Sequence, residues 1–342
     1  MEIGISTFVE TTPYIGLNKT ISHAERIREV IEEVVLADEV GLDIYGVGEH
    51  HRSDFAASAP AVILAAAAAK TKNIRLTSAV TVLSSADPVR VFQDFATVDA
   101  ISNGRAEIMA GRGSFTESFP LFGYNLRDYD ELFEENLDLL LKICNYEKIT
   151  WKGKHRAAIN NLGIYPRPVQ NPLPVWIGSG GNAQSVVRAG KLGLRLCLAI
   201  IGGSPIRFAP LTQIYKQTTM DAGYGNLPIA SHSHGFVADT TEEAVEKFYK
   251  PTEFVMNVIG RERGWSTYTR ETYDQARKLE GALYVGNPEQ VAEKIIYLNK
   301  NVGIERFMLH LPLGTMPHKD VLRSIELLGK KVAPIVHKET SK

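Results

Sequence analysis

Cysteine is nearly absent from this chain of 342 residues, which has only Cys144 and Cys197. Neither belongs to a CxxC pair, so we expect neither a disulfide framework nor a structural zinc site. Two lone cysteines are typical of a reducing compartment. The first residues also lack the basic and apolar regions of a signal peptide, and we therefore expect a cytoplasmic protein.

A surplus of charge is missing as well, because 38 basic and 39 acidic residues leave a net charge of -1 at pH 7. Nucleic acids are bound through a basic surplus, so we expect no nucleic-acid partner. Long apolar runs are also missing. The longest runs from Ala59 to Ala69, is broken by Pro60 and is too short to span a bilayer, so we expect no membrane partner.

Short apolar runs instead alternate with longer amphipathic segments, a pattern that predicts parallel strands joined by right-handed crossovers. Eight such units in 342 residues indicate an α/β fold, a closed (β/α)8 TIM barrel with insertions. An open, doubly wound sheet is the alternative. No GxGxxG motif follows the first strand, which counts against that alternative. The strands are predicted at residues 3–8, 44–47, 74–83, 106–110, 175–177, 194–199, 229–237 and 306–311.

The amphipathic segments predict the helices of this barrel. In the first helix Ser22 is expected to cap the N-terminus, with Glu25 three residues later completing a capping box. Three segments, 112–130, 146–173 and 260–284, are too long for plain connections. We expect a single domain over residues 1–342, with insertions there that cover the barrel mouth or are mobile. The helices are predicted at residues 22–40, 60–69, 88–101, 132–143, 183–191, 206–222, 242–258, 288–301 and 319–331.

Glycine-rich segments follow two of the predicted strands, at the barrel end where active sites form. The segment Gly178–Asn182 reads GSGGN and opens a helix. Glycines let backbone N–H groups approach an anion and the helix dipole favours negative charge, so this composition is typical of a phosphate site. Arg112, between two glycines, could bind the same phosphate. The alternatives are a tight turn and a surface arginine paired with a carboxylate.

Histidines also gather at predicted strand ends. His50, in Glu49-His50-His51, is a candidate general base, and a structural imidazole is the alternative. His232 and His234 lie on one face of a strand. Together with His50 and His310 they could form a metal site, as in a metal-dependent barrel hydrolase. No pair of carboxylates at strand ends supports that reading, so we expect no metal.

Four segments in combination resemble the bacterial luciferase-like monooxygenase family over residues 3 to about 332: GVGEHHRSDF, TSAVTVLSSADPVRVFQDFATVDAISNGRAEIMAGRGS, PVWIGSGGN and YVGNPEQVAEKI. The resemblance implies a (β/α)8 barrel that binds reduced FMN, or a deazaflavin in one branch, at its C-terminal mouth. It implies a monooxygenase that uses O2 on a small organic substrate. A separate NAD(P)H:flavin reductase would supply the flavin, and the protein would be a homodimer.

The resemblance also assigns roles to particular residues. It places the active-site histidine at His50. It places a non-proline cis peptide between Ala79 and Val80, on the wall below the flavin ring. The implied cofactor-binding residues are Phe8, Ala79, Val80, Gly111, Arg112, Gly113, Ser179, Gly180 and Gly181.

The chain departs from the true luciferases at two places. Gly111 stands where a luciferase has a reactive cysteine, and residues 260–284 do not resemble the long luciferase loop, so we expect no light emission. A flavin monooxygenase is the first hypothesis. A deazaflavin-dependent hydride-transfer enzyme and a flavin-binding protein without turnover are the alternatives.

Overall fold

Apolar and β-branched runs of this chain form strands that are buried on both faces, as a parallel sheet covered by helices requires. The computed structural model describes residues 1–14 and 19–341. Its strands are β1 (Glu2–Thr7), β2 (Ile44–Val47), β3 (Arg75–Ser78), β4 (Thr81–Val82), β5 (Ala106–Gly111), β6 (Lys148–Trp151), β7 (Ile159–Gly163), β8 (Val175–Ser179), β9 (Arg195–Ala199), β10 (Ile229–Val237), β11 (Tyr284–Gly286) and β12 (Arg306–His310).

The helices begin where the sequence offers caps. Ser22 Oγ accepts a hydrogen bond from Glu25 N at 3.1 Å, as the capping box predicts, and the Asp87 side chain caps the helix that Pro88 opens. The helices are α1 (His23–Glu39), α2 (Pro60–Ala68), α3 (Pro88–Ser102), α4 (Ser118–Leu121), α5 (Tyr129–Asn145), α6 (Ala183–Lys191), α7 (Ala209–Asp221), α8 (Thr241–Arg263), α9 (Arg270–Ala276), α10 (Pro288–Val302), α11 (His318–Leu327) and α12 (Ala333–Thr340).

Eight parallel strands close into a barrel, which confirms the predicted fold. The ring runs β1-β2-β3-β5-β8-β9-β10-β12, and it closes because β12 pairs with β1, with Ser6 beside His310. The third predicted strand is divided in two, because a cis peptide between Ala79 and Val80 separates β3 from β4. β11 pairs with β10 outside this ring.

The three long segments contain secondary structure of their own, and the hairpin edge that residues 149–154 indicated is present. Residues 112–130 include α4 and a 3-10 turn, and residues 146–173 form the antiparallel β6–β7 hairpin. Residues 260–284 hold the end of α8 and all of α9. In the described part of the chain, no helix combines the length and the hydropathy that crossing a membrane needs.

Buried Lys294 fixes the chain after α9. Its ammonium donates to the carbonyl oxygens of Lys278 at 2.6 Å, Leu283 at 2.7 Å, and Ala276 and Arg277 at 3.1 Å. Burial lowers the pKa of Lys294 to about 7. The three N–H groups of one ammonium on α10 are thus shared among four carbonyls of a connection that has little regular structure of its own.

The N-terminal end of the barrel is closed by paired charges. Arg306 donates to both carboxylate oxygens of Glu107, at 2.6 and 3.2 Å, and both side chains are buried. The same guanidinium lies 4.1 Å from the ring centre of Trp176. Above this pair the interior is apolar. Its buried members are Ile44, Ala79, Met109, Trp176, Cys197, Ala230 and Met308.

Candidate active site

The C-terminal end of the barrel has a bulge at Val80, and two glycines make room for its side chain. A Cβ on Gly111 would lie 2.7 Å from Val80 Cγ2, and a Cβ on Gly178 would lie 2.6 Å from Val80 Cγ1. Both distances are shorter than any normal carbon contact. Val80 therefore projects between β5 and β8 only because both positions are glycine. A cysteine at position 111 would therefore clash with Val80 in this chain.

Three imidazoles surround Phe8 at this end of the barrel, and a fourth, that of His234, lies behind them. The Phe8 ring centre lies 4.3 Å from that of His310, 4.5 Å from His50 and 5.8 Å from His232. His310 is also 5.0 Å from both His232 and His234. The fold thus brings together histidines from the β2 end, β10 and β12 that are scattered along the sequence.

Three of these imidazoles, His50, His232 and His234, are held in their neutral form by burial. Desolvation is the main cause that lowers the pKa of His50 to about 3. Burial, followed by His310, places the pKa values of His232 and His234 well below the usual range. At neutral pH the three rings can donate and accept hydrogen bonds, but they attract no anion and are weak bases.

The contacts of Glu49 show that His50 and His51 have different roles. The sequence alone did not distinguish the two histidines. One carboxylate oxygen accepts from Val82 N at 2.9 Å and the other lies 2.8 Å from His51 Nε2. His50 instead packs against aromatic rings and donates its backbone N–H to Ala57 O at 2.9 Å. Glu49 and His51 therefore fix the loop, while the His50 ring joins the mouth.

The predicted phosphate residues come together on the opposite side of the mouth. Arg112 Nη2 lies 3.3 Å from Ser185 Oγ, in the first turn of α6. The segment before that turn holds Ser179, whose Oγ accepts from Gly181 N at 3.3 Å. Gly181 has φ +101°, which favours glycine, and a Cβ on Gly180 would meet open space.

An anion already lies at this cradle. Arg112 forms an ion pair with Asp130, whose side chain is 69 % exposed, and stacks 5.3 Å from the Tyr129 ring centre. Tyr129 in turn donates to Gly113 O at 2.8 Å. The Arg112 guanidinium thus already holds one oxyanion, and Ser185 Oγ at the start of α6 lies beside the same guanidinium. The residues present therefore fit a phosphate group, and an exposed partner such as Asp130 is easily displaced.

A cluster that the sequence analysis missed covers the mouth. Arg52 donates to Glu262 at 2.8 and 2.9 Å and to Glu117 at 3.1 Å, and so joins the β2–α2 loop to two inserted segments. Phe115 packs beside Arg52 and Arg263, with its ring centre 4.7 and 5.1 Å from the two guanidinium carbons. No local sequence motif predicts this cluster, because its members are far apart in the chain.

Groups of metal-ligating side chains lie elsewhere. Among the described residues, two sets of three have ligand atoms close enough to share an ion, and both are outside the barrel mouth. They are Glu29, Glu33 and His318, and Asp128, Glu131 and His155. In the first set Glu33 is already paired with Arg26 at 2.6 Å. The histidines around Phe8 form no such group.

A closed parallel eight-stranded barrel with glycine-rich strand ends, Arg112 and buried histidines at its C-terminal mouth has the architecture of the TIM-barrel enzymes, whose active sites lie at that end. The family model described as luciferase-like monooxygenase matches residues 1–306. The chain therefore belongs to the luciferase-like monooxygenase family, as its motifs predicted. Family members are oxidoreductases, which supports an enzyme.

Known relatives divide between two cofactor types. The chain is 27% identical to N-acetyl-S-alkylcysteine monooxygenase of Bacillus subtilis (strain 168), over 90% of this chain and 93% of that protein. It is 31% identical to an F420-dependent glucose-6-phosphate dehydrogenase of Amycolatopsis mediterranei (strain U-32), over 45% and 48%. The oxygenating constituent of 3,6-diketocamphane monooxygenase of Pseudomonas putida, solved with FMN, superimposes with a TM-score of 0.78 at 21% identity, covering 98% of both chains.

Proposed function

We propose that this protein is a flavin-dependent monooxygenase that uses reduced FMN and O2 on a small organic substrate. The observation that carries the proposal is the arrangement of the mouth. A phosphate-sized anion site at Arg112 and α6 opens toward a buried, neutral, aromatic-lined end of the barrel. The relative from Bacillus subtilis and the FMN complex from Pseudomonas putida, both named as monooxygenases, support the same choice.

In this proposal the cradle holds the cofactor phosphate. Arg112 supplies a fixed positive charge, Ser179 a hydroxyl, and Gly180 and Gly181 exposed backbone at the start of α6. Gly111 and Gly113 flank Arg112, and Gly113 has φ +73°, which lets the chain turn away from β5 after the arginine. Phosphate bound here would replace the Asp130 carboxylate as the partner of Arg112, and the barrel would not have to move.

The opposite part of the mouth would receive the flavin ring and the substrate. Phe8, Ala79 and Val80 provide an apolar wall. His50 is a hydrogen-bonding group beside it that stays uncharged at neutral pH. When bound, reduced FMN would supply the electrons that activate O2. Burial of His50, together with the cover formed around Arg52 and Phe115, would keep bulk water from the reacting atoms.

The partners follow from the same assignment. As the resemblance to the family implies, a separate NAD(P)H:flavin reductase would supply reduced FMN. Exposed Val62, on the Ala-rich helix α2, offers an apolar contact for a second copy in a homodimer. We propose that this system works in the cytoplasm.

A deazaflavin-dependent hydride-transfer oxidoreductase is the second candidate. The F420-dependent relative favours it, since its identity to this chain is the higher of the two named enzymes, although over less than half of the chain. Both cofactors carry a phosphate, so the cradle suits either one. The two functions differ in whether O2 is consumed.

Anaerobic titration with reduced FMN and, separately, with reduced F420 tests this assignment. We expect saturable absorbance changes with FMN, weaker binding of F420, and O2 consumption after an oxygen pulse that rises with an accepted substrate. Binding of F420 alone would establish the second candidate. FMN binding without O2 consumption across a broad substrate panel would indicate a flavin-binding protein without turnover.

A further inference from the structure

One side of the mouth, formed by β1, β10 and β12, contains buried polar atoms that have no hydrogen-bond partner within residues 1–14 and 19–341. They include Ser6 Oγ, His232 Nε2, His234 Nδ1 and His310 Nδ1. His310 pairs in register with Ser6 on one neighbouring strand and with His234 on the other. Buried polar atoms in folded proteins are nearly always paired, so a cluster of exceptions on adjacent strands requires an explanation.

Glu10 determines which hydrogen-bonding role His310 plays. Its Oε1 lies 2.8 Å from His310 Nε2, and its Oε2 accepts from Thr7 Oγ1 at 3.3 Å. A carboxylate can only accept, so the proton of a neutral His310 ring resides on Nε2. Nδ1 then carries a lone pair.

We propose that Ser6, His234 and His310 form a polar subsite for an uncharged hydrogen-bond donor of the substrate, a hydroxyl or N–H group, with His310 Nδ1 as the acceptor. Glu10, immediately behind the ring, repels an anion. His310 is fully buried and His234 is 8 % exposed, so a substrate charge would lose its hydration here. The apolar body of the ligand would pack on Phe8, 4.3 Å from His310.

This inference rests on the proposed function only in taking the ligand to be the substrate of that reaction. It requires no flavin for its test. Phenol and toluene are suitable probes, because they have nearly the same shape and differ in one donor group. Both would be titrated into protein labelled with 15N in the histidine rings, at pH 8 and without flavin, with His310→Gln used to assign the resonance.

We expect His310 to show the Nε2–H tautomer and phenol to shift its Nδ1 resonance. Phenol should bind about 3- to 10-fold more tightly than toluene, as one neutral hydrogen bond implies. In Glu10→Gln the amide can donate to Nε2, so the proton should move to Nδ1 and the preference for phenol should fall below about 2-fold. Exposed Glu280→Gln, on the loop before β11, should change neither quantity.

The inference is overturned if His310 of the unmodified protein carries its proton on Nδ1, if phenol leaves the His310 resonances in place, or if toluene binds as tightly as phenol. These measurements on the unmodified protein decide the matter even if Glu10→Gln fails to fold. A failure here leaves FMN titration unaffected, and a failure of FMN to bind leaves the phenol comparison unaffected. The two proposals therefore fail separately.

Discussion

The two ends of the barrel differ in how their buried polar side chains are paired. At the N-terminal end Arg306 and Glu107 satisfy each other and close the interior. At the C-terminal end His232, His234 and His310 each keep a buried nitrogen that has no hydrogen-bond partner among the described residues. A complete pair serves folding, whereas unpaired buried groups cost stability, and the proposed subsite would give those at the mouth a partner.

The same contrast extends to charge. Arg75 Nε lies 3.7 Å and Arg195 Nη1 4.0 Å from Glu107, so three guanidinium groups surround one buried carboxylate. The histidines at the other end are kept uncharged by burial. A barrel of this kind can therefore be stable through one end and chemically adaptable at the other.

The largest effect is expected from breaking the paired end. Glu107→Gln leaves Arg306 as a buried charge without its carboxylate, and should lower the free energy of unfolding by about 3–5 kcal/mol. Urea unfolding measures this loss. Glu2→Gln is the control, because Glu2 contacts the same guanidinium but its side chain is 36 % exposed, and should cost less than about 1 kcal/mol. Equal stability of Glu107→Gln and the unmodified protein would contradict this account.

The next effect concerns the anion cradle. Arg112→Ala removes a charged donor and should weaken FMN binding about 10- to 150-fold, from the 1.5–3 kcal/mol of a charge-assisted hydrogen bond. Riboflavin lacks the phosphate, so its affinity should stay the same. Arg188→Ala, which loses a guanidinium paired with Glu134 on the outside of α6, should leave FMN affinity unchanged. A parallel loss for FMN and riboflavin would show that Arg112 does not hold the phosphate.

The smallest expected effect concerns His234 and the pH dependence of the free energy of unfolding. The pKa of His234 in the folded protein lies below its ordinary value of 6.5, so the unfolded chain binds the extra proton first as pH falls. His234 therefore lowers the free energy of unfolding below about pH 6.5. The loss is about 1.4 kcal/mol for each further pH unit, until the pKa of His234 in the folded protein is reached.

His234→Asn should remove this contribution. Between pH 7.5 and pH 5.5 the variant should lose about 1.4 kcal/mol less unfolding free energy than the unmodified protein. Urea unfolding at the two pH values gives the difference. His23→Asn, at an exposed ring on α1, serves as the control and should follow the unmodified protein. Identical pH dependence of all three proteins would mean that His234 is protonated in the folded state.

The barrel was predictable because its signals are local. Apolar runs of four to nine residues, separated by capped helices, are what parallel strands require, and β2, β10 and α6 coincide with their predicted bounds. The hydrophobic pattern could not predict that the third strand is divided, since residues 74–83 form one apolar run in the sequence. The resemblance to known sequences, rather than the pattern, indicated the Ala79–Val80 break.

Local sequence signals indicated only part of the candidate site. Glycine-rich strand ends announced the cradle, and a GSGGN segment before a helix is a local signal. The cover around Arg52 was not predicted, because Glu262 lies 210 residues away and has no pattern of its own. Helix α9 was missed for a similar reason, since its stability depends on buried Tyr273, whose hydroxyl donates to Val245 O at 3.1 Å.

The two sides of the mouth also differ in when they can form during synthesis. The cradle is built from β5, β8 and α6, all within residues 106–191, whereas the Glu10–His310 contact joins residues 300 positions apart. A chain emerges from its N-terminus first, so the cradle can assemble while β1 still waits for β12. One edge of β1 pairs with β2, and the other edge has no strand beside it until β12 is made. An open strand edge is a template for association with other chains. The β12-facing edge of β1 therefore stays unpaired until synthesis reaches residues 306–310.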